Sequence, residues 1–184
     1  MGTVTALPRG RALTRSDLEL MPDDGHRYEL IDGTLIVTPA PSWRHQWVAG
    51  RLHLLLTAPC PEDLHVFFAP LDIGLDDHTV LQPDLLVARR SDLGTRDLPT
   101  APLLAVEVLS PSTRRVDLTL KRSRFEAARC PSYWVVDPDE PSLTVWQLQQ
   151  GTYVEVAHAV DTERAHVDAP YPLTVSPADL IARG

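Results

Sequence analysis

The chain has 184 residues, of which 43% are hydrophobic and 23% charged, as is ordinary for a globular protein with one core. A net charge of -8 argues against non-specific coating of nucleic acid, which needs clustered Lys and Arg. The two cysteines lie far apart and indicate neither a disulfide framework nor a zinc site. Because no apolar run is long enough to span a membrane and no secretory signal is visible, we expect a cytoplasmic location.

The first predicted elements are a short helix and a β-hairpin. A sequence at Thr14 that resembles a capping box predicts a helix to residue 20 or 21. Two strands then flank Asp32-Gly33, a strong signal for a two-residue hairpin turn; they cover residues 27–31 and 34–38. Glu29 lies in the first strand, where, taken alone, it is more typical of a charge at the sheet rim than of a site.

A second helix is predicted over residues 42–57. Its inward stripe consists of Val48, Leu52, Leu55 and Leu56, and His45 extends that stripe. A single His on such a face is more often a core residue than a ligand. Shorter strands follow near residues 65–68 and 71–75.

One buried strand is predicted over residues 79–88, with a kink at Pro83. Proline has no N–H to donate to a β-ladder, so the strand bends or lies at a local edge there. We expect the bend to leave room for the side chain of Asp84 to project into a cleft.

A strand–helix–strand unit follows. The apolar run at residues 103–106 predicts a strand buried on both faces, and Glu107 ends it. An ionised Glu in that position costs several kcal/mol unless a cation or hydrogen bonds compensate, and one such cation is a metal ion. A helix over residues 116–129 leads to a second apolar strand at residues 133–136, so the two strands should be parallel neighbours.

Lys121, on that helix, is the only lysine among 17 basic residues. Lysine carries a compact ammonium that can steer or transfer a proton, whereas Arg stays charged and presents a planar fork. Helical spacing puts Lys121 on a face with Leu118 and Phe125, so it can point toward the sheet. Two simpler interpretations of the single lysine stay open: a surface ion pair with Asp117 at i,i+4, and codon bias that spared one residue at random.

The last part of the chain predicts a hairpin across Gln150-Gly151 at the far side of the sheet. A further strand over residues 166–173 and a terminal helix from Ser176 to residue 181 complete it. We expect a single domain over residues 1–184, with its core at about residues 14–157 and a flexible segment at residues 1–13.

The candidate site combines Asp84, Glu107, Lys121 and Glu29. Carboxylates without competing nitrogen or sulfur ligands suit a hard divalent cation such as magnesium or manganese. The metal would polarise a phosphoryl oxygen and generate hydroxide, and the lysine could orient or deprotonate the attacking water. The reaction class implied is hydrolysis of a phosphodiester bond.

Five segments carry a family resemblance: RYELIDG, QPDLLV, LLAVEVLSPSTRRVDLTLKRSRFEAA, SYWVVDP and the weaker GTYVEV. With them the sequence resembles the Uma-two (Uma2) family of restriction-endonuclease-like proteins, a branch of the PD-(D/E)XK nuclease superfamily. The resemblance implies an α/β (α+β) fold with a mixed central sheet, flanking helices and antiparallel hairpins at the sheet edges. It also implies that Asp84 and Glu107 bind the metal of an endonuclease whose substrate is nucleic acid. The sequence itself gives no preference between DNA and RNA, and we expect DNA.

The chain departs from the superfamily pattern at two places. The residue two positions after Glu107 is Leu109 rather than Lys, so Lys121 would have to supply the ammonium from the helix. The helix at residues 42–57 contains no acid, which leaves Glu29, or with less support His45, to complete the site.

Two hypotheses from different functional classes stay open. A non-catalytic nucleic-acid-binding or protein-interaction module on the same scaffold predicts no metal at Asp84 and Glu107, and Lys121 paired outward with Asp117. A dimerising structural protein, or a nuclease that is a homodimer, predicts an exposed apolar patch on the hairpin that contains Trp146.

Overall fold

The computed structural model describes residues 7–8 and 10–181. In that part of the chain there are twelve strands and four α-helices, one of which continues directly from a π-helical segment. The elements are α1 (Arg15–Leu18), β1 (Arg27–Ile31), β2 (Thr34–Thr38), α2 (Trp43–Thr57), β3 (Leu64–Phe68), β4 (Ile73–Asp76), β5 (Thr79–Leu81), β6 (Leu85–Arg89), β7 (Leu104–Val108), the π-helical segment (Val116–Lys121), α3 (Arg122–Ala127), β8 (Ser132–Asp137), β9 (Ser142–Gln149), β10 (Thr152–Val160), β11 (Ala165–Val167), β12 (Leu173–Val175) and α4 (Pro177–Ile181).

The strands form three sheets. A mixed six-stranded sheet has the order β10-β9-β8-β7-β6-β3, a four-stranded sheet has the order β2-β1-β5-β4, and β11 pairs with β12. In the six-stranded sheet β7 and β8 are parallel and the other pairs are antiparallel. The predicted mixed sheet with helices and edge hairpins is therefore confirmed, as is the parallel strand–helix–strand unit.

The β1–β2 hairpin forms as predicted because its turn residues accept positive φ. Asp32 has φ 53° and Gly33 has φ 73°, the combination of a type I′ turn. The N–H of Leu13 donates to the Gly33 carbonyl at 2.9 Å, and a Cβ added to Gly33 would lie 2.5 Å from the Cβ of Ala12. The turn thus needs glycine both for its backbone angles and for the segment packed against it. The capping box at Thr14 is also present.

The main core lies between α2 and the six-stranded sheet. Val48, Leu52 and Leu56 of α2 are fully buried, and they pack against alternate residues of the central strands. The opposite face of the sheet is covered by α3, where the ring of Phe125 lies 5.6 Å from that of Tyr133. The main core also includes residues C-terminal to position 157, namely Ala159, Ala165, Val167, Tyr171, Val175 and Leu180.

The prediction of a single strand over residues 79–88 is wrong, and the difference matters for the site. The chain forms two strands there, and they belong to different sheets: β5 pairs in the four-stranded sheet and β6 in the six-stranded sheet. Pro83 lies between them and cannot continue a ladder. As a result Asp84 lies where the two sheets meet.

Two smaller predictions, the strand over residues 166–173 and the flexible segment at residues 1–13, do not agree fully with the structure. The strand expected over residues 166–173 is instead the antiparallel pair β11 and β12, with a turn between them. Of the segment predicted to be flexible, residues 1–6 and 9 lie outside the described residues, whereas Leu13 is buried. No helix within the described ranges is long and apolar enough to cross a membrane.

The helix predicted over residues 116–129 is present, but its first part has π-helical rather than α-helical geometry. Such wide turns are rare and often occur at functional sites. Here the wide turn contains both Asp117 and Lys121, and each is only 1% exposed. The helix therefore presents an acid and a base to the sheet rather than to solvent.

Candidate active site

Lys121 is buried among three carboxylates. Its Nζ lies 2.9 Å from Glu29 Oε1, 3.1 Å from Glu107 Oε1 and 3.6 Å from Asp117 Oδ1. The pair between Lys121 and Asp117 exists, but both side chains are inside the protein, so the interpretation as a surface ion pair is wrong. Burial disfavours the ammonium, yet the carboxylates of Glu107, Glu29 and Asp117 together raise the pKa of Lys121 above its ordinary value. Lys121 therefore carries its proton at neutral pH.

Glu107 lies at the centre of this cluster, on β7, and is completely buried. One of its oxygens, Oε2, has no hydrogen-bond partner among the described residues. Burial raises the pKa of Glu107 well above its ordinary value even though Lys121 opposes the shift, and the charges of Asp117, Asp84 and Glu29 add to it. The surroundings of Glu107 therefore disfavour its ionised form.

Asp84 has the opposite electrostatic character. Its Oδ1 accepts a hydrogen bond from Arg27 Nη1 at 2.8 Å. Its Oδ2 accepts one from the Val108 N–H at 2.8 Å and lies 2.9 Å from His45 Nε2. Burial opposes ionisation, but the hydrogen bond to His45 and the charges of Arg27 and Lys121 hold the pKa of Asp84 below its ordinary value. Asp84 is therefore a carboxylate at neutral pH.

The β6–β7 register explains why Asp84 and Glu107 meet. Leu85 pairs with Val106 in this antiparallel ladder, so Asp84 and Glu107 stand opposite each other one position further along. The hydrogen bond from the Val108 N–H to Asp84 confirms that the two strands remain close there. Two acids that lie 23 positions apart in sequence are thus brought to one place.

Glu29 belongs to the same site and is not a rim charge. It is 1% exposed, and its Oε1 accepts a hydrogen bond from the Gln82 N–H at 2.7 Å in addition to its contact with Lys121. Arg27, two residues earlier on β1, connects the two halves of the site: its Nε lies 3.6 Å from Glu29 Oε2 while its Nη1 binds Asp84.

Sequence reasoning missed two members of the cluster. Arg27 shares the pleat face of Glu29 on β1, so the i,i+2 spacing offered a signal for it. Asp117 was predicted only as a surface partner of Lys121, but it is buried in the π-helical turn, which no residue pattern indicated. His45 does face the site, because its Nε2 lies 2.9 Å from Oδ2 of Asp84.

A cleft of about 850 Å³ opens in front of Asp84. Its floor includes Arg27, His45, Gln82 and Asp84, whereas Glu107 and Lys121 lie beneath this floor and do not line the cleft. One wall is the exposed side of α2, and another is the turn of residues 110–113, which supplies three hydroxyl groups. Of the four acids that surround Arg27 and Lys121, Asp84 is therefore the one that lines the cleft and that a bound molecule would reach.

The carboxylate oxygens of Asp84 and Glu107 are the kind of ligand that a hard divalent cation prefers. Asp84 and Glu107 offer oxygen ligands from adjacent strands, and Glu107 Oε2 is a buried acceptor whose hydrogen-bonding capacity is not used. Both oxygens of Asp84 are engaged by protein donors, however, and no group of three or more His, Cys, Asp or Glu side chains in the described part of the chain is arranged to hold a metal. Oδ2 of Asp84 already has two protein partners, whereas Oδ1 has one, so Oδ1 is the oxygen with remaining capacity for a metal.

The family model described as "Putative restriction endonuclease", Uma2, matches residues 15–178. The chain belongs to the Uma2 family. The match covers most of the chain, and it includes Asp84, Glu107, Lys121 and Glu29.

A solved structure supports the fold assignment of this Uma2 protein. It is a "putative nuclease belonging to DUF820" from Anabaena variabilis ATCC 29413, with a TM-score of 0.69 and 21% sequence identity. The alignment covers 92% of this chain and 97% of the other. A comparison with curated proteins finds no match.

Proposed function

We propose that this Uma2 protein is an endonuclease that hydrolyses phosphodiester bonds in nucleic acid, with a magnesium or manganese ion bound by Asp84 and Glu107. One observation carries the proposal: acids from β1 and β7 gather with the only lysine of the chain, and Asp84, the residue before β6, connects this buried group with the lining of one cleft. The description of the Uma2 family supports the same reaction class. DNA is the expected substrate.

A divalent ion held by Asp84 and Glu107 would supply polarisation of a phosphoryl oxygen and activation of the attacking water. The residues of the chain hold the charges that the reaction needs. Asp84 is ionised and lines the floor of the cleft, so it is the carboxylate that contacts a ligand entering from solvent. Glu107 lies next to it, with one oxygen available as a ligand.

We assign Lys121 an electrostatic role. Because three carboxylates keep its ammonium protonated, Lys121 is suited to orient the attacking water and to stabilise negative charge rather than to remove a proton. Glu29 positions that ammonium through the 2.9 Å contact and is itself fixed by the Gln82 N–H. His45, which shares Oδ2 of Asp84 with the Val108 N–H, positions Asp84.

The proposal is tested by cleavage of circular DNA in manganese-containing buffer. Wild type should nick or linearise the substrate, whereas Asp84→Asn, Glu107→Gln and Lys121→Met should each lose roughly 10²-fold or more in rate. Asp139→Asn is a matched control because Asp139 forms an exposed ion pair with Arg44 at 3.2 Å, outside the cleft. Equal activity in all variants would contradict the assignment of the site.

A non-catalytic nucleic-acid-binding or protein-interaction module is the second candidate. It is favoured by one observation, the engagement of both Asp84 oxygens by protein donors. In that case wild type would cleave no substrate in manganese or magnesium. Its other expectation, an outward Lys121, is contradicted by the burial of that side chain.

The dimerisation hypothesis receives mixed support from the β9–β10 hairpin. Trp146 is only 9% exposed, and the guanidinium of Arg122 lies 5.2 Å from its ring centroid. On β10, by contrast, Val154, Val156 and Val160 are 39–42% exposed. A homodimer through β10 stays a prediction, for which the molar mass in solution is the measurement.

A further inference from the structure

One wall of the cleft carries an exposed aromatic ring next to Asp84. Phe68 ends β3, is 63% exposed and pairs across the ladder with Leu85, the residue that follows Asp84. The next residue, Ala69, donates its N–H to the Asp84 carbonyl at 3.0 Å. Paired residues of an antiparallel ladder have Cα atoms only about 4.5–5.5 Å apart. Phe68 and Asp84 are therefore close enough for a single bound nucleotide to contact both side chains.

The Phe68 ring is in contact with a second ring, that of His53. His53 of α2 contacts it edge-on, with ring centroids 5.2 Å apart and an interplanar angle of 87°. In such a T-shaped pair the edge of one ring meets the face of the other, so His53 can cover at most one face of Phe68 and the opposite face stays available. Between His53 and His45 the helix has Ala49 and Gly50 on its cleft side, and a Cβ added to Gly50 would meet nothing within 4 Å.

A second, separate feature marks the same cleft as a binding site. His45 is 9% exposed, lines the cleft, and its Nδ1 has no hydrogen-bond partner in the part of the chain that the structure describes. Buried polar atoms are normally satisfied, and an unsatisfied one is commonly explained by a functional role or by a bound water molecule or ion. The cavity volume of about 850 Å³ lies within the usual range for small-ligand sites, roughly 300–1,000 Å³.

We propose that the cleft binds an unpaired base of a single-stranded nucleic acid, stacked on Phe68, with its phosphate directed toward Asp84. This inference rests on the proposed nuclease function and specifies its substrate. The face of a base is available for stacking on an aromatic side chain only when the base is not stacked inside a duplex. The substrate class is therefore a single strand, or an unpaired stretch within a longer nucleic acid.

The charges of the cleft support stacking as the main source of affinity. The lining contains three aspartates (Asp23, Asp72 and Asp84) and one arginine, Arg27, so acids outnumber permanent cations and the cleft offers little attraction for phosphates. A site that neutralises few phosphates releases few counterions on binding. We therefore expect the affinity for single strands to depend only weakly on salt concentration.

The test is fluorescence anisotropy with the full-length chain in calcium-containing buffer. The probes are labelled DNA and RNA strands of about 12 nucleotides and the DNA duplex of the same sequence. Wild type should bind a strand more tightly than the duplex, and Phe68→Ala should weaken strand binding by about 5- to 100-fold. Phe68→Trp should retain it. The two strands distinguish DNA from RNA as the source of the unpaired base.

Trp47→Ala is the matched control. Trp47 is an aromatic residue of α2 that is 41% exposed and lies outside the cleft lining, so its loss should change strand affinity by less than about twofold. Unchanged strand binding in Phe68→Ala, equal binding of strand and duplex, or no strand binding by wild type would overturn the inference.

Cleavage of the same probes in manganese separates this inference from the proposed function. Cleavage that persists while Phe68→Ala binds strands normally would overturn the base-binding site and leave the nuclease function standing. Strand binding that depends on Phe68, without cleavage by wild type, would support the base-binding site and contradict the nuclease function.

Discussion

The two partners of the buried Lys121–Glu107 pair should have opposite effects on stability when each is replaced. Their atoms are 3.1 Å apart, and at an effective dielectric constant of about 20 such a pair attracts by about 5 kcal/mol. Burial of Glu107 and repulsion from Asp117, Asp84 and Glu29 nevertheless outweigh this attraction, because the pKa of Glu107 is raised in spite of Lys121. The ionised Glu107 is therefore a net cost to the folded state.

Glu107→Gln removes that cost and leaves Lys121 in contact with Glu29 and Asp117. We expect it to increase the free energy of unfolding by roughly 1–3 kcal/mol at pH 8 while lowering the cleavage rate by roughly 10²-fold or more. Lys121→Met removes the cation that contacts three buried carboxylates, so it should decrease the free energy of unfolding by roughly 3–5 kcal/mol. Asp139→Asn, at an exposed pair, should change it by less than about 0.5 kcal/mol.

The measurement is urea denaturation in EDTA, followed by far-UV circular dichroism. The sign of the pH dependence gives a second check. A carboxyl whose pKa is raised on folding destabilises the protein progressively as the pH rises above its ordinary value, 4.5 for Glu. The advantage of Glu107→Gln over wild type should therefore be largest at high pH and shrink toward pH 4.5. If Glu107→Gln were as unstable as Lys121→Met, the argument from burial would be refuted.

Three further predictions concern other parts of the site and fold. Manganese without nucleic acid should raise the melting temperature of wild type but not that of Asp84→Asn, as measured by differential scanning fluorimetry against EDTA. Because the pKa of Asp84 is lowered, its stabilising contribution should be complete above its ordinary value of 3.8 and decline as the pH falls below it; urea midpoints of wild type and Asp84→Asn would converge there. Gly33→Ala should lower the free energy of unfolding by about 1–3 kcal/mol, since it combines a φ of 73° with a clash against Ala12.

The elements with local signals were predictable from sequence. The Asp32-Gly33 turn and the parallel strand–helix–strand unit follow from residue patterns within a few positions, and both are present. The division of residues 79–88 between two sheets was not predictable, because Pro83 signals a bend but does not determine which strand each half pairs with. That choice depends on the distant strands β1 and β7.

In the site, too, some residues were predictable from the composition of the chain, whereas others depend on contacts between distant segments. The uniqueness of Lys121 in the sequence drew attention to it, and the structure brings it to Glu107 and Glu29. Glu29 taken alone was misjudged as a rim charge, because its burial depends on Gln82 and on the helix that brings Lys121. Phe68 gave no signal at all, since an exposed Phe becomes informative only when its neighbour in the ladder is known.

The balance of charge in the site links its stability to the proposed chemistry. Four carboxyl groups (Glu29, Asp84, Glu107 and Asp117) surround two permanent cations, Arg27 and Lys121, so ionisation of all four would leave an excess of two negative charges. A single divalent ion carries the charge that compensates both. The excess that makes Glu107→Gln stabilising is then the same excess that attracts the metal, and an excess of this kind is expected where function, rather than folding, determines which residues are buried.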